Sequence, residues 1–202
     1  LVALAILLLL TACGGGPPAT GWSKPLAASG VLYVGSAGGK TYALDPATGT
    51  RKWRFPNTDS SSLALYASPV LGDGSLFIAS SDYKLYAVNA ESGEKRWEFS
   101  ESKEPLIATP AYANGLVYAG SSDGNLYAVD AVTGKLRWAF TAGNKIWAEP
   151  LVDGGTLYMA SLDHRLYALD AATGNKRWEF EAGGAIASSP KLSDGLIVFG
   201  AF

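Results

Sequence analysis

Residues 43–53 read Ala43-Leu44-Asp45-Pro46-Ala47-Thr48-Gly49-Thr50-Arg51-Lys52-Trp53, and near-copies follow at 87–97 (AVNAESGEKRW), 128–138 (AVDAVTGKLRW) and 168–178 (ALDAATGNKRW). Working outward, Trp53, Trp97, Trp138 and Trp178 are separated by 44, 41 and 40 residues. Tyr42, Tyr86, Tyr127 and Tyr167 keep the same three intervals, and Pro69, Pro110, Pro150 and Pro190 follow at 41, 40 and 40. Three landmarks in one register make the chain a repeat protein, and the repeat governs each local assignment.

Each unit divides into four short strands. The first is predicted to run across the proline, as in 186–192. The second covers 115–120 and 156–160, the third 125–130 and the fourth 135–140. Asp123-Gly124 between the second and third predicts a two-residue hairpin, because Gly tolerates positive φ. Four-stranded units of this length predict an all-β fold, a β-propeller with about four complete blades. In the link to the fourth strand, Asp45, Asn89, Asp130 and Asp170 suit acceptors of backbone N–H bonds. Gly49, Gly93, Gly134 and Gly174 suit positive φ. On the fourth strand Trp53 and Phe55 share a face, as do Trp97 and Phe99, Trp138 and Phe140, and Trp178 and Phe180. The tryptophans are expected to dock one blade on the next. Basic residues at 52, 54, 96, 137 and 177 are expected on the opposite face, guarding an outermost strand against foreign pairing.

Composition agrees with this reading. Twenty-four glycines among 202 residues and 11% aromatics fit many turns around aromatic-packed strands, and 48% hydrophobic residues supply a core and exclude a disordered chain. Sixteen Lys+Arg against 18 Asp+Glu leave a net charge of −2, without the basic excess of a nucleic-acid binder. One Cys and one His exclude a disulfide framework, a Cys/His zinc site and a Cys–His nucleophile pair.

The pattern Ala-x-Asp-x-x-Thr-Gly-x-x-x-Trp resembles the tryptophan-docking motif of the PQQ-like propeller repeat family, and the resemblance covers residues 21–202. That family includes quinoprotein alcohol dehydrogenases and non-enzymatic envelope lipoproteins similar to BamB, the outer-membrane β-barrel assembly factor. The resemblance implies either a protein-interaction scaffold for envelope proteins, such as β-barrel assembly components, or a dehydrogenase holding PQQ with Ca²⁺. An extracytoplasmic sensor or adhesion propeller is a third class. One fold hosts them all. Family enzymes carry a catalytic Asp and often a vicinal Cys–Cys pair, and no Cys–Cys occurs in this sequence.

Leu1 to Leu10 read LVALAILLLL, the apolar h-region of a secretory signal and too short to span a bilayer as a helix. The initiator Met and basic n-region are absent, so the sequence is expected to begin inside its own signal peptide. Leu10-Thr11-Ala12-Cys13 resembles the bacterial lipobox, in which the Cys is diacylated. Residues 1–12 are thus read as signal peptide, 13–20 as a Gly/Pro tether and 21–202 as a partial propeller. Cys13 is the expected lipid anchor, holding the domain at a membrane outside the cytoplasm. Gly14 stands where proteins retained at an inner membrane carry Asp, which by resemblance favours the outer membrane. A lone Cys beside an ordinary cleavage site is the alternative. A fifth unit opens at Ser189-Pro190 and stops at Phe202, so the chain is expected to be part of a seven- or eight-bladed ring. Two half-rings pairing is the other option.

Working residues should depart from the repeat. Three positions before each proline stand Trp22, Tyr66, Ile107, Trp147 and Ala187, and one position before stand Lys24, Ser68, Thr109, Glu149 and Ser189. They are expected to line the central channel. Trp147 and Glu149 together suit a stacked quinone and a Ca²⁺ ligand, or else a channel-wall indole and a solvated carboxylate. Trp22 belongs either to that channel or to an outer strand completing the last blade. His164 is the one candidate imidazole acid or base, and its context Leu162-Asp163-His164-Arg165 points to an exposed turn. The insertion Pro56–Ser62 reads as a polar surface loop or a partner contact. No residue is assigned a catalytic or metal-binding role.

Overall fold

The computed structural model describes residues 23–36, 38–58 and 65–202. Cys13, Trp22, the signal and tether segments and 59–62 of the insertion lie outside the described residues. The fold is all-β. The first sheet holds Leu26–Ala28 (β1), Val31–Gly35 (β2), Thr41–Leu44 (β3) and Arg51–Phe55 (β4). The second holds Val70–Gly72 (β5), Ser75–Ala79 (β6), Leu85–Asn89 (β7) and Lys95–Phe99 (β8). The third holds Ala111–Ala113 (β9), Leu116–Gly120 (β10), Asn125–Asp130 (β11) and Leu136–Thr141 (β12). Leu151–Asp153 (β13), Thr156–Ala160 (β14), Arg165–Asp170 (β15) and Lys176–Glu181 (β16) form the fourth. Lys191–Ser193 (β17) and Leu196–Val198 (β18) form a two-stranded fifth. Each four-stranded sheet is an antiparallel meander in chain order, the blade of a propeller. The short first strands sit together at the centre, with β9 between β5 and β13.

Apolar side chains lie between blades because each sheet has two faces to cover. Tyr33, Trp53, Leu65, Leu76 and Val88 join the first blade to the second. Phe77, Leu85, Phe99, Leu106 and Tyr127 join the second to the third, and Tyr118, Leu126, Ile146, Met159 and Leu169 the third to the fourth.

The first strand does not run across the proline as expected. It has three residues and begins directly after Pro69, Pro110, Pro150 or Pro190. Proline has no N–H for the ladder, and the residues before it bond to the neighbouring blade instead. The amides of Leu106, Ile146 and Ile186 donate to the carbonyls of Ser80, Ser121 and Ser161. The 2–3 hairpin is also longer than two residues. Ser121 N donates to Asn125 O at 2.9 Å and Gly124 N to Ser121 O at 3.2 Å, which closes a turn with Gly124 at φ +85°.

The fourth strand carries a feature that the sequence pattern hid. Every pairing of third and fourth strands has a bulge, between Ala43/Leu44, Ala87/Val88, Ala128/Val129 and Ala168/Leu169. The unpaired residue is Lys52, Arg96, Arg137 or Arg177, four of the outward-facing cations. A bulge adds twist and breaks the edge ladder, and a charge on it discourages further pairing.

Candidate functional site

The repeated link residues form the joints between blades. Asp45 Oδ1 accepts the amides of Ala47 and Thr48, each at 2.9 Å, and the Thr48 hydroxyl. Asn89, Asp130 and Asp170 accept the two matching amides in their own turns. These bonds hold the Asp45 and Asp130 carboxyls below the ordinary range, led by the Thr48 and Thr133 amides; for Asp170 the Arg177 guanidinium leads. The turns of the second, third and fourth blades each present a glycine to the tryptophan of the preceding blade. A Cβ on Gly93 would lie 2.7 Å from the Trp53 indole, and one on Gly134 2.7 Å from Trp97. A Cβ on Gly174 would lie 2.5 Å from Trp138. The indole N–H groups of Trp53, Trp97 and Trp138 donate to the carbonyls of Ala90, Ala131 and Ala171 at 3.0, 3.0 and 3.2 Å. Trp178 is 43% exposed, and a Cβ on Gly49 would meet nothing within 4 Å. The repeated acidic positions therefore serve turns, and the tryptophans serve contacts between blades.

A second joint escaped the sequence reading. Asp123, on the 2–3 hairpin, reaches back to the loop arriving from the preceding blade. Its Oδ2 accepts Lys103 N at 3.0 Å and the Tyr127 hydroxyl at 2.7 Å. Asp163 does the same with Gly143 N at 2.7 Å and Tyr167 at 2.6 Å, and Asp82 accepts the Tyr86 hydroxyl. The signal was present in the spacing, since Asp82, Asp123 and Asp163 each stand four residues before a landmark tyrosine. Burial opposes the charge on Asp123, but the Lys103 amide, the Tyr127 hydroxyl and the Asn125 amide outweigh it and lower its pKa. Burial, then the Asp163 carboxylate, pushes Tyr167 up to about 12. A lowered folded pKa means that Asp123 stabilises fully above the ordinary aspartate range of about 3.9, and that this contribution is lost as pH falls through the folded value. Asp123→Ala is expected to cost about 1–3 kcal/mol at pH 7. In urea titrations the gap from the parent chain should narrow in acid; a gap independent of pH would remove the carboxylate from the joint.

The residues before each proline surround the propeller axis. Lys24 N donates to Ser68 Oγ at 2.7 Å, Ser68 N to Thr109 Oγ1 at 3.1 Å and Glu149 N to Ser189 Oγ at 3.0 Å. Together with Tyr66, these five side chains line a cavity of about 370 Å³. Glu149 Oε2 lies 3.7 Å from Lys191 Nζ. Trp147 does not share that lining. Its indole N–H donates to Ser122 Oγ at 3.2 Å on the 2–3 hairpin, and Lys145 Nζ lies 5.5 Å from the ring centroid.

The strand directions place the start of each first strand, the end of each fourth strand and the 2–3 hairpin at one end of the blade. Tyr66, Tyr83, Trp147 and His164 therefore stand on one face of the propeller. Tyr66, Tyr83 and Trp147 are 39%, 45% and 40% exposed. His164 is exposed at φ +73°, in the turn position held by Gly39 and Gly124 elsewhere. A side chain is disfavoured there by roughly 1–2 kcal/mol, partly offset by the freedom a glycine loses on folding. His164→Gly should raise stability by about 0.5–1 kcal/mol, read as a rise of a few degrees in Tm; a fall would mean that the imidazole is held by contacts of its own.

A quinone with calcium, which the family resemblance allows, does not fit these residues. The stacking ring and the carboxylate proposed for it face different places. Glu149 is the one acidic residue among the described residues lining the cavity, and its carboxylate lies beside the Lys191 ammonium, a poor donor set for Ca²⁺. Among the described residues no three His, Cys, Asp or Glu side chains converge on a metal position.

Comparison with known proteins agrees with the architecture. The chain superposes on BamB from Moraxella catarrhalis with a TM-score of 0.70 at 24% identity, covering 82% of this chain and 50% of that one. It matches a quinohaemoprotein alcohol dehydrogenase from Comamonas testosteroni at 0.71 and 18% identity, over 88% of this chain and 39% of that one. It matches the computationally designed Ika8 protein at 0.76 and 13% identity, over 88% of this chain and 54% of that one. The chain thus spans about half the length, or less, of these structures. No curated protein sequence matches it. The family model described as outer membrane protein assembly factor BamB matches residues 11–142 and again 87–201. With its blades, docking joints and repeat in the same register, the chain belongs to the BamB family.

Proposed function

We propose that this chain is an interaction scaffold of the bacterial cell envelope, held at the outer membrane through a lipid on Cys13, that contributes to β-barrel protein assembly. The observation that carries the reading is the single propeller face bearing Tyr66, Tyr83 and Trp147, in a member of the BamB family. Exposed aromatic rings on a rigid frame suit protein recognition, because tyrosine and tryptophan bury much area at little entropic cost. In this reading the chain binds proteins, holds no quinone and catalyses nothing. Partners would be components of the barrel-assembly machinery or unfolded barrel strands. Nucleic acid is not among them.

Purified chain passed over an immobilised outer-membrane β-barrel assembly complex should bind, and Tyr66→Ser combined with Trp147→Ser should weaken that binding at least tenfold. Equal binding by the double variant would move the contact off this face, and absence of binding by the parent chain would favour a sensor or adhesion role. The anchor has its own test. Cys13→Ala should shift the protein to the soluble fraction, whereas unchanged membrane partition would contradict lipidation.

A further inference from the structure

The exposed rings and the end of the chain that carries Cys13 meet on one side of the propeller. Leu26 opens β1 at the end of the first blade that also carries its 2–3 hairpin. Leu26 pairs with Tyr33 and Ala28 with Val31, so β1 starts toward Gly35, which precedes the turn closed by Ser36 N and Lys40 O. Ser23 lies there too, since a Cβ on Gly35 would come within 2.5 Å of its hydroxyl. The polypeptide from Cys13 therefore enters the propeller through the face that bears Tyr66, Tyr83 and Trp147.

The length of that connection favours one orientation. Ser23 stands ten residues after Cys13, and ten residues reach at most about 36 Å when fully extended. To bring the opposite hairpins to an anchored lipid, the connection would have to pass around the rim. It would cross the four strands of a sheet, about 14 Å, and descend a five-residue strand, about 17 Å. That route uses nearly all of the extended length, whereas the aromatic face needs none of it.

The two faces also differ in the chemistry they offer a bilayer. The opposite hairpins at 29–30, 73–74, 114–115 and 154–155 contain no Trp or Tyr. Tyr and Trp settle at membrane–water interfaces because an apolar ring and a polar atom meet both phases at once. Trp147 has its N–H held by Ser122 Oγ, which leaves the ring itself to meet lipid. Lys145, with Nζ 5.5 Å from that ring, can lay its apolar stem in the boundary and keep its charge among the headgroups. Exposed charges of both signs, Lys103 and Lys145 with Glu101 and Glu104, stand on the same loops, so the interface is recognised and not a lipid of one charge.

We propose that the face bearing Tyr66, Tyr83 and Trp147 is turned to the membrane and rests its rings in the lipid headgroup layer. The proposal rests on the lipid at Cys13 and is independent of which protein binds. A protein recognised by this face would lie between the propeller and the bilayer.

Coupling the Cys13 thiol, the one thiol of the chain, to a maleimide phospholipid poses the question of orientation apart from whether a cell adds a lipid. The mature chain beginning at Cys13 is held in this way on vesicles of phosphatidylethanolamine and phosphatidylglycerol, brominated just below the headgroup to quench indole fluorescence on contact. A Trp22→Phe background removes the indole nearest the anchor in sequence. In that background Trp147→Phe should at least halve the quenching. Val132→Trp, at a position 77% exposed in a link on the opposite face, should add emission that bromine does not quench. Quenching untouched by Trp147→Phe, or strong at position 132, would overturn the proposal with the anchor reading intact. Failure of the anchor reading shows separately, as membrane partition unchanged by Cys13→Ala, and would overturn the proposal with it.

Discussion

Trp53→Ala is expected to destabilise the chain by about 3–5 kcal/mol, the largest effect of any substitution considered. The indole is 8% exposed, lies against Gly93 of the next blade and donates to Ala90 O at 3.0 Å. Its removal opens a cavity between two sheets and leaves a carbonyl short of a donor, although the Tyr33 hydroxyl reaches the same oxygen at 3.3 Å. Trp178 is the control, because it occupies the same repeat position and is 43% exposed. Trp178→Ala should cost less than a third as much. Chemical denaturation of both variants measures the difference, and equal losses would mean that the indoles stabilise their own blades and not the joints.

Gly93→Ala is expected to cost about 2–4 kcal/mol from two sources. Gly93 has φ +74°, a region that L-residues occupy at a cost, and a Cβ would come within 2.7 Å of the Trp53 indole. Gly49→Ala separates the two, since Gly49 has φ +71° and open space around the added atom. It should cost only about 1–2 kcal/mol. The residues at the first joint should also couple: in a Trp53→Ala background Gly93→Ala should fall to the Gly49 value. Additive losses would show that indole and glycine do not meet.

The propeller was legible because its repeat is written in large residues. Trp, Tyr and Pro at intervals of 40 to 44 residues mark the outer strand, third strand and channel segment, and alternation within the strands puts Trp53 and Phe55 on one face. Features depending on hydrogen bonds across blades were not legible in the same way. The first strand looked longer because Ile186–Pro190 has strand-like composition, yet the Ile186 amide donates to Ser161 O of the neighbouring blade. The bulge at Lys52 and its equivalents leaves the apolar pattern intact and so leaves no trace in it. Asp123 and Asp163 read as hairpin residues, since nothing in one blade reveals the loop of another. Trp147 and Glu149, adjacent in the repeat pattern, separate in space because one caps a hairpin through Ser122 and the other faces the axis.

Hydrogen–deuterium exchange of the chain with and without the barrel-assembly complex tests the scaffold account most directly. The account predicts added protection in the segments carrying Tyr66, Tyr83, Trp147 and His164, with the hairpins at 29–30, 73–74, 114–115 and 154–155 on the opposite face unchanged. Protection confined to that opposite face, or none at saturating complex, would contradict it.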